Sequence, residues 1–264
     1  MATTAQLPPQ VSPPEFALSP ALPHQIGGAE VWAFPVLPDP DGVLLGPGAD
    51  EASEVLGVDL LAALEAARAT GRAGEVTTVP VSAPDDDVSL VLLVGVGEAS
   101  VVDFRRAGAA VARATKDRAS VVTSLAAIAP DEGLGAFVVG AMLGSFSFHW
   151  RSHGPQERPV ARIVLAGVSD DGADDELARA IALGGAGWRS RALATVPANL
   201  KTPAWLAEQA VEVGGAAGLE VTIWDEERLA AEGFGGILAV GGGSANPPRM
   251  IRMDYTPRSA TRRR

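Results

Sequence analysis

"VSLVLLVGVG", Val88–Gly97, is the stretch whose reading decides the fold. It is unbroken and apolar from Leu90 to Val94, and glycines close it at Gly95 and Gly97. A strand with one wet face alternates apolar and polar side chains; a continuous run marks a strand covered on both faces. A covered strand needs helices on either side of its sheet. The flanking sequence supplies them. "VVDFRRAGAAVARATKD" (Val101–Asp117) follows at once, and Val102, Phe104, Ala109, Val111 and Ala112 form a rough apolar stripe at helical spacing. Upstream, "GEVTTVPV" (Gly74–Val81) is β-branched and alternating, hence a strand. Before that, "VDLLAALEAARATG" (Val58–Gly71) reads as a helix stopped by Gly71, and "EVWAFPVL" (Glu30–Leu37) as a strand.

The alternation continues downstream. "SVVTSLA" (Ser120–Ala126) is a strand, "DEGLGAFVVGAMLGSFSF" (Asp131–Phe148) a helix with acids at its start, and "VARIVLAGV" (Val160–Val168) another buried strand. Such alternation predicts an α/β domain with a largely parallel or mixed sheet between helices. "SDDGADD" (Ser169–Asp175) marks a boundary. A long connecting helix is expected from Asp174 to Ala192, with Asp174, Asp175 and Glu176 at its start and Arg189 and Arg191 near its end. Gly184, Gly185 and Gly187 each weaken it by roughly 1 kcal/mol relative to alanine and permit a close backbone approach.

A second α/β unit follows. Thr202 is placed to cap a helix, with Pro203 at its first position, and the helix is expected to run to Gly218. "LEVTIW" (Leu219–Trp224) is a strand and "EERLAAEG" (Glu226–Gly233) a short helix. "GGILAVGGG" (Gly235–Gly243) is expected to be a strand ending in glycines, and "RMIRMDY" (Arg249–Tyr255) a further strand. No internal repeat is visible.

Composition narrows the function. Apolar residues make up 47% and charged residues 20% of 264, ordinary values for a folded protein. The net charge of −11 argues against a nucleic-acid or anionic-membrane partner. A basic cluster stands at the end, at Arg258, Arg262, Arg263 and Arg264. The absence of cysteine excludes a disulfide framework and a thiolate metal site and fits a reducing cytoplasm. "MATTAQLPPQVSPPEF" carries neither a charged start nor an apolar run, so no signal peptide is read there, and residues 1–13 are expected to be mobile. No apolar run is long enough to span a membrane.

Four stretches invite chemistry. Gly95, Gly97 and the helix after them resemble a dinucleotide turn, but Ser100 holds the third glycine position and no acid closes the next strand. His149 and His153 in "HWRSH" would face one metal on a helix. Trp150 stands where a zinc protease needs Glu, and the simpler reading is a partly exposed helix end running into Gly154. "GGGSANPP" (Gly241–Pro248) could cradle a phosphate, yet Pro247 and Pro248 remove donors, so a turn between two strands is expected. Asp85, Asp86 and Asp87 read as a solvated loop.

The second unit carries a resemblance. "RALATVPANLKTPAWLAEQA" (Arg191–Ala210) and "GFGGILAVGGGSANPPRMIRMDY" (Gly233–Tyr255) are similar to the leucyl aminopeptidases, or cytosol aminopeptidases, of the M17 metallopeptidase family. Pro197 and Asn199 match that family's Asn-x-Pro-x-Asn turn, with Thr195 in place of the first Asn. Val240, Gly241, Gly243, Ser244, Pro248, Arg249 and Tyr255 match its next segment, with Gly242 where Gln is common. "GAMLGSFSFHW", with Phe146 and Phe148, and "LLVGVG" extend the likeness upstream.

The resemblance implies a macro-domain-like first domain over residues 14–170, a linker helix over 171–192, the start of a catalytic domain over 193–257 and a non-family tail over 258–264. It implies a hydrolase that releases N-terminal residues from peptides with two divalent metals, Mn or Zn, in a cytoplasmic homo-hexamer. The family's metal ligands lie in "GKG-x-x-x-DSGG" and "NTDAEGR" segments. Neither occurs here, and Lys116 and Lys201 both lack the glycine setting of the family's lysines. No catalytic, cofactor-binding or metal residue is therefore carried over, and the chain as it stands is expected to be inactive and not to form the hexamer. The resemblance thus implies a catalytic domain that stops after its first strands. A frameshift is the preferred account of "PRSATRRR", with deliberate truncation the alternative. A second functional class stays open, a stand-alone macro-like binding or assembly module. Ending the chain near Val168 is expected to improve its behaviour in solution.

Overall fold

The computed structural model describes residues 7–82, 87–169 and 171–257. Pro8–Ala192 forms one compact unit, and the described residues from Leu193 onward form another. Of the acidic run at 85–87 only Asp87 is described, and the arginines at 258 and 262–264 lie outside the described residues.

The first unit is built on a seven-stranded mixed sheet. Its strands are β1 (Glu15–Ser19), β2 (Val31–Asp39), β3 (Gly42–Leu45), β4 (Val76–Pro80), β5 (Leu90–Gly95), β6 (Ser120–Thr123) and β7 (Arg162–Ala166). They run in the order β1-β7-β6-β2-β5-β4, with β3 paired to β2. β5 is wholly buried, parallel to β2 and antiparallel to β4. Its side chains divide by alternation. Leu90, Leu92 and Val94 join Val31 and Ala33 in one core, and Val91 and Leu93 join Trp32, Phe34 and Val36 in the other.

Helices close both faces. Against the first core lie α3 (Val101–Ala114) and α4 (Gly133–Gly144), through Phe104, Val111, Leu134 and Phe137. Against the second lie α1 (Ala49–Leu56) and α2 (Leu60–Ala67), through Ala49, Ala52, Leu60 and Leu64. α3 and α4 approach backbone to backbone. A Cβ on Gly108 would stand 2.1 Å from the Phe137 carbonyl oxygen, and one on Gly140 2.1 Å from that of Arg105. Only glycine fits at either place.

α5 (Ala173–Thr195) is not a bare connector. Ala173, Leu177 and Ala180 belong to the first core, and Trp188 packs edge-on against Phe146 at 5.1 Å between ring centres. A cut near Val168 would strip those side chains from the core. That loss weighs against the expectation that such a cut improves behaviour in solution. Three elements had no clear signal in the sequence, β1, β3 and α1. Residues 8–13, expected to be mobile, carry tertiary hydrogen bonds at Pro9 and Gln10, described below.

In the second unit, α6 (Pro203–Ala216) starts as expected, with the Trp205 N–H donating to Thr202 Oγ1 at 3.2 Å. β8 (Glu220–Trp224) and β9 (Met250–Asp254) make a two-stranded antiparallel sheet, with α7 (Glu226–Ala231) between them in sequence. "GGILAVGGG" departs from expectation. It forms a helix, α8 (Gly235–Gly241), with no buried residue and Val240 91% exposed. Among the described residues β8 pairs only with β9, so no ladder receives this segment. A helix satisfies its N–H groups locally, as Ile237 and Leu238 do on the Phe234 carbonyl. The Gly241–Pro248 turn therefore joins a helix to a strand, not two strands.

Candidate functional site

In an open α/β sheet, ligands bind beyond the carboxyl ends of the parallel strands, where the strand order reverses. Here the chain moves from β2 to β5 on one side and then returns to β6 on the other, so the reversal lies between β2 and β6. That crevice is filled. β6 pairs with Val31–Ala33, and β3 takes the rest of that side of β2 by pairing with Val36–Asp39. The Ser124 hydroxyl donates to the Pro47 carbonyl at 2.7 Å.

Three N–H donors of the glycine turn after β5 are also spent. The Val96 N–H goes to the Val36 carbonyl, that of Gly97 to Gly71 and that of Ala99 to Val96. Ser100 caps α3, accepting from the Asp103 N–H, while Asp103 accepts from the Ser100 hydroxyl at 2.7 Å. A phosphate needs such N–H groups free. Gly95 answers instead to packing, because a Cβ there would stand 2.1 Å from the Arg72 carbonyl oxygen.

"HWRSH" is not a helix end. α4 stops at Gly144, and the chain runs irregularly past His149 to a turn at Ser152–His153. His149 is buried, 7% exposed, while His153 is exposed, so the helical pairing is lost. The Nε2 of His149 meets the Pro9 carbonyl at 2.8 Å, which makes that nitrogen the donor. Gln10 brackets the same residue, donating to the His149 carbonyl at 3.0 Å and accepting its N–H at 3.1 Å. Nothing in the spacing of "HWRSH" signals this partner, because the two residues stand 140 apart in sequence.

The second unit holds the charged residues nearest to the family likeness. Asp225 caps α7, accepting from the Arg228 N–H at 2.9 Å. Glu226 pairs with Arg249, and Asp254 with Arg252 at 2.7 Å. Glu232 accepts from Arg228 Nε and from the Trp224 indole, each at 2.7 Å. The Arg228 bond, then the indole bond, hold its carboxyl below the usual carboxylate range. The Arg228 guanidinium lies 4.4 Å from the Trp224 ring centre and that of Arg252 5.6 Å, at cation–π range. This cluster braces β8, α7 and β9. It was not foreseen in the sequence, although Arg228 and Glu232 stand at helical i,i+4 spacing.

Both lysines are likewise engaged. Lys116 pairs with Glu157 at 2.5 Å, and Lys201 donates to the Ala194 carbonyl at 2.8 Å. A catalytic metal pair requires several anionic or neutral donors converging on one cavity. Among the described residues no group of three or more His, Asp or Glu side chains is placed to hold a metal ion.

Known proteins locate this arrangement. The model of the cytosol aminopeptidase family N-terminal domain matches residues 33–152, and that of the catalytic domain of the same family matches 189–264. A probable cytosol aminopeptidase of Rhodococcus opacus is 33% identical over 92% of this chain and 48% of its own length. One of Leifsonia xyli subsp. xyli is 32% identical over 96% of this chain and 49% of its own. The chain thus spans about half the length of the curated relatives it matches. Among solved structures, the bottromycin maturation enzyme BotP in complex with Mn aligns with a TM-score of 0.65 and 27% identity, over 88% of this chain and 46% of that one. A tomato leucine aminopeptidase mutant shares the fold with a TM-score of 0.76 at 22% identity, over 97% of this chain and 54% of that one.

Proposed function

The chain belongs to the cytosol aminopeptidase family, and on that premise we propose that it corresponds to the front half of a leucyl aminopeptidase and does not hydrolyse peptides by itself. In the full-length enzyme the reaction would be release of N-terminal amino acids from peptides, with two divalent metals supplying the hydroxide and polarising the carbonyl. A cytoplasmic setting accords with the absence of cysteine.

One observation carries this reading. The two family models match in family order, yet the side chains described around β8, α7 and β9 are occupied by one another. Asp225 caps α7 and Glu226, Glu232 and Asp254 each face an arginine, while Glu227 stands in the first turn of α7 where an acid suits the dipole and Glu220 is exposed at the start of β8. Losing the metal constellation removes most of a rate enhancement of at least about a millionfold. The purified chain with Mn or Zn and leucine p-nitroanilide should release product at the rate of buffer alone. Metal-dependent turnover that survives removal of host aminopeptidases would overturn the proposal.

No observation favours a stand-alone nucleotide-binding module. The filled crevice between β2 and β6 and the spent N–H groups after β5 weigh against it.

A further inference from the structure

The Pro8–Pro13 arm leads into β1 and has no secondary structure of its own. Pro8, Pro9, Pro13 and Pro14 lack the N–H that a strand ladder needs, so the arm cannot be held as a strand. Three hydrogen bonds tie it to the unit, and all three end on His149. The Gln10 side chain takes the backbone N–H and carbonyl of His149, and the His149 ring donates from Nε2 to the Pro9 carbonyl. His149 stands in the segment that leads to β7, and β7 is the strand β1 pairs with. One residue therefore fixes the arm where the edge strand begins.

That residue can hold the arm in one protonation state. With Nε2 donating, a neutral ring keeps a lone pair at Nδ1, and a charged ring carries a second N–H there. Nδ1 is shut off from water and has no hydrogen-bond partner. A lone pair in that place is a modest loss. A cationic N–H in the same place forfeits its hydration with no acceptor in return, which costs far more. The charged groups on the neighbouring elements are Glu15 at the start of β1 and Arg151 and Arg158 in the segment before β7. They are exposed, as is His153, and none of them is bonded to Nδ1. A second proton can be accommodated only when the arm lifts and lets water reach the ring.

We propose that His149 is a proton-sensitive latch, which holds the Pro8–Pro13 arm down while its ring is neutral and releases it when the ring is charged. The closed arm binds one proton fewer than the open arm, so closure is favoured at higher pH and lost as pH falls. The latch lies in the first unit and does not rest on the aminopeptidase reading.

Amide hydrogen exchange of the full chain tests it at the His149 N–H, which the Gln10 side chain covers. An imidazole in water charges around pH 6.5, so opening at this amide should rise about tenfold from about pH 7.5 to about pH 5.5, once the intrinsic pH dependence of exchange is removed. That window lies above the range in which Glu75 and Glu232 take up protons. Protection at Leu92 in β5 should stay constant across it. Gln10→Ala should leave the His149 amide open at both pH values. In His149→Gln, whose side chain cannot be charged, exchange at position 149 should no longer depend on pH. His24 also carries a buried Nδ1 without a partner, and this variant assigns the response between the two. A parent protein with equal protection at both pH values overturns the proposal. So does a pH response that persists in His149→Gln, or one that Leu92 shares.

Discussion

The two units of this chain have the same ingredients and different means of stability. In the first, β5 lies between two strands and two cores, and Trp32, Phe34, Phe104 and Phe137 are almost wholly buried. In the second, a two-stranded sheet carries α6 and α7, and its fully buried large side chain is Leu229. A two-stranded hairpin is marginal alone in water and needs a helix against it. Here α6 supplies Ala207 and Gly214, and Gly214 approaches so near that a Cβ would stand 2.5 Å from Val221 Cγ2. The rest of the second unit is held by polar bracing around Trp224. Size of core, and not secondary-structure content, separates the two.

That contrast can be broken most forcefully by cutting the chain. Ending it at Ala192 keeps all but the last three residues of α5 and should leave a single cooperative melt. Ending it at Val168 removes Leu177, Ala180 and Trp188 and should cost more than any point substitution. Melting curves of both lengths check this, and equal midpoints would mean α5 contributes nothing to the core.

Next comes the contrast at one side chain in each unit. Phe137→Ala should cost about 3–5 kcal/mol, as large-to-small changes in a tight core do, and should lower protection across the first unit. Trp224→Ala should loosen only β8, α7 and β9. Segment-resolved hydrogen exchange separates the two effects, and loss of first-unit protection in the Trp224 variant would join what we treat as separate.

A smaller effect belongs to the cap. Thr202→Ala removes the acceptor of the Trp205 N–H and should cost about 1 kcal/mol, confined to α6. Denaturant unfolding followed by exchange at α6 tests its size and place.

The smallest concerns pH, with one carboxyl in each unit. Partial burial raises the Glu75 pKa, but hydrogen bonds from Thr70, Arg72 and Gly71 outweigh it and hold the group below its ordinary 4.5. Glu232 is held below the same value by Arg228 and Trp224. A folded pKa below the unfolded one means stability that is present above about pH 4.5 and lost as pH falls through the folded value. Acid should therefore loosen the Thr70–Glu75 loop and the Trp224 cluster. Glu75→Gln and Glu232→Gln should each flatten that acid response in its own unit, seen as a shallower fall of the melting midpoint.

Much of the fold was legible in the chain. The apolar run at Leu90–Val94, the Thr202 cap and the acids opening α5 each act within a few residues, so spacing alone exposes them. β1, β3 and α1 escaped because "EFALS", "GVLL" and "ADEASEVL" are short and weakly patterned. α8 was misread because an apolar run bounded by glycines fits a strand or a short helix equally, and only a neighbouring strand decides between them. The site was less legible. His149 and His153 looked paired by spacing, and the chain between α4 and β7 is not helical.

The sequence by itself determined the α/β class, the mixed sheet between helices and the family, because apolar periodicity, capping residues and local motifs are properties of contiguous chain. Tertiary structure alone decided that β3 fills the crevice between β2 and β6 and that α5 belongs to a core. It alone placed His149 against Pro9 and wrapped Trp224 in arginine and glutamate. These are contacts between residues distant in sequence or on different elements, and their free energy exists only once the chain has closed the loops between them.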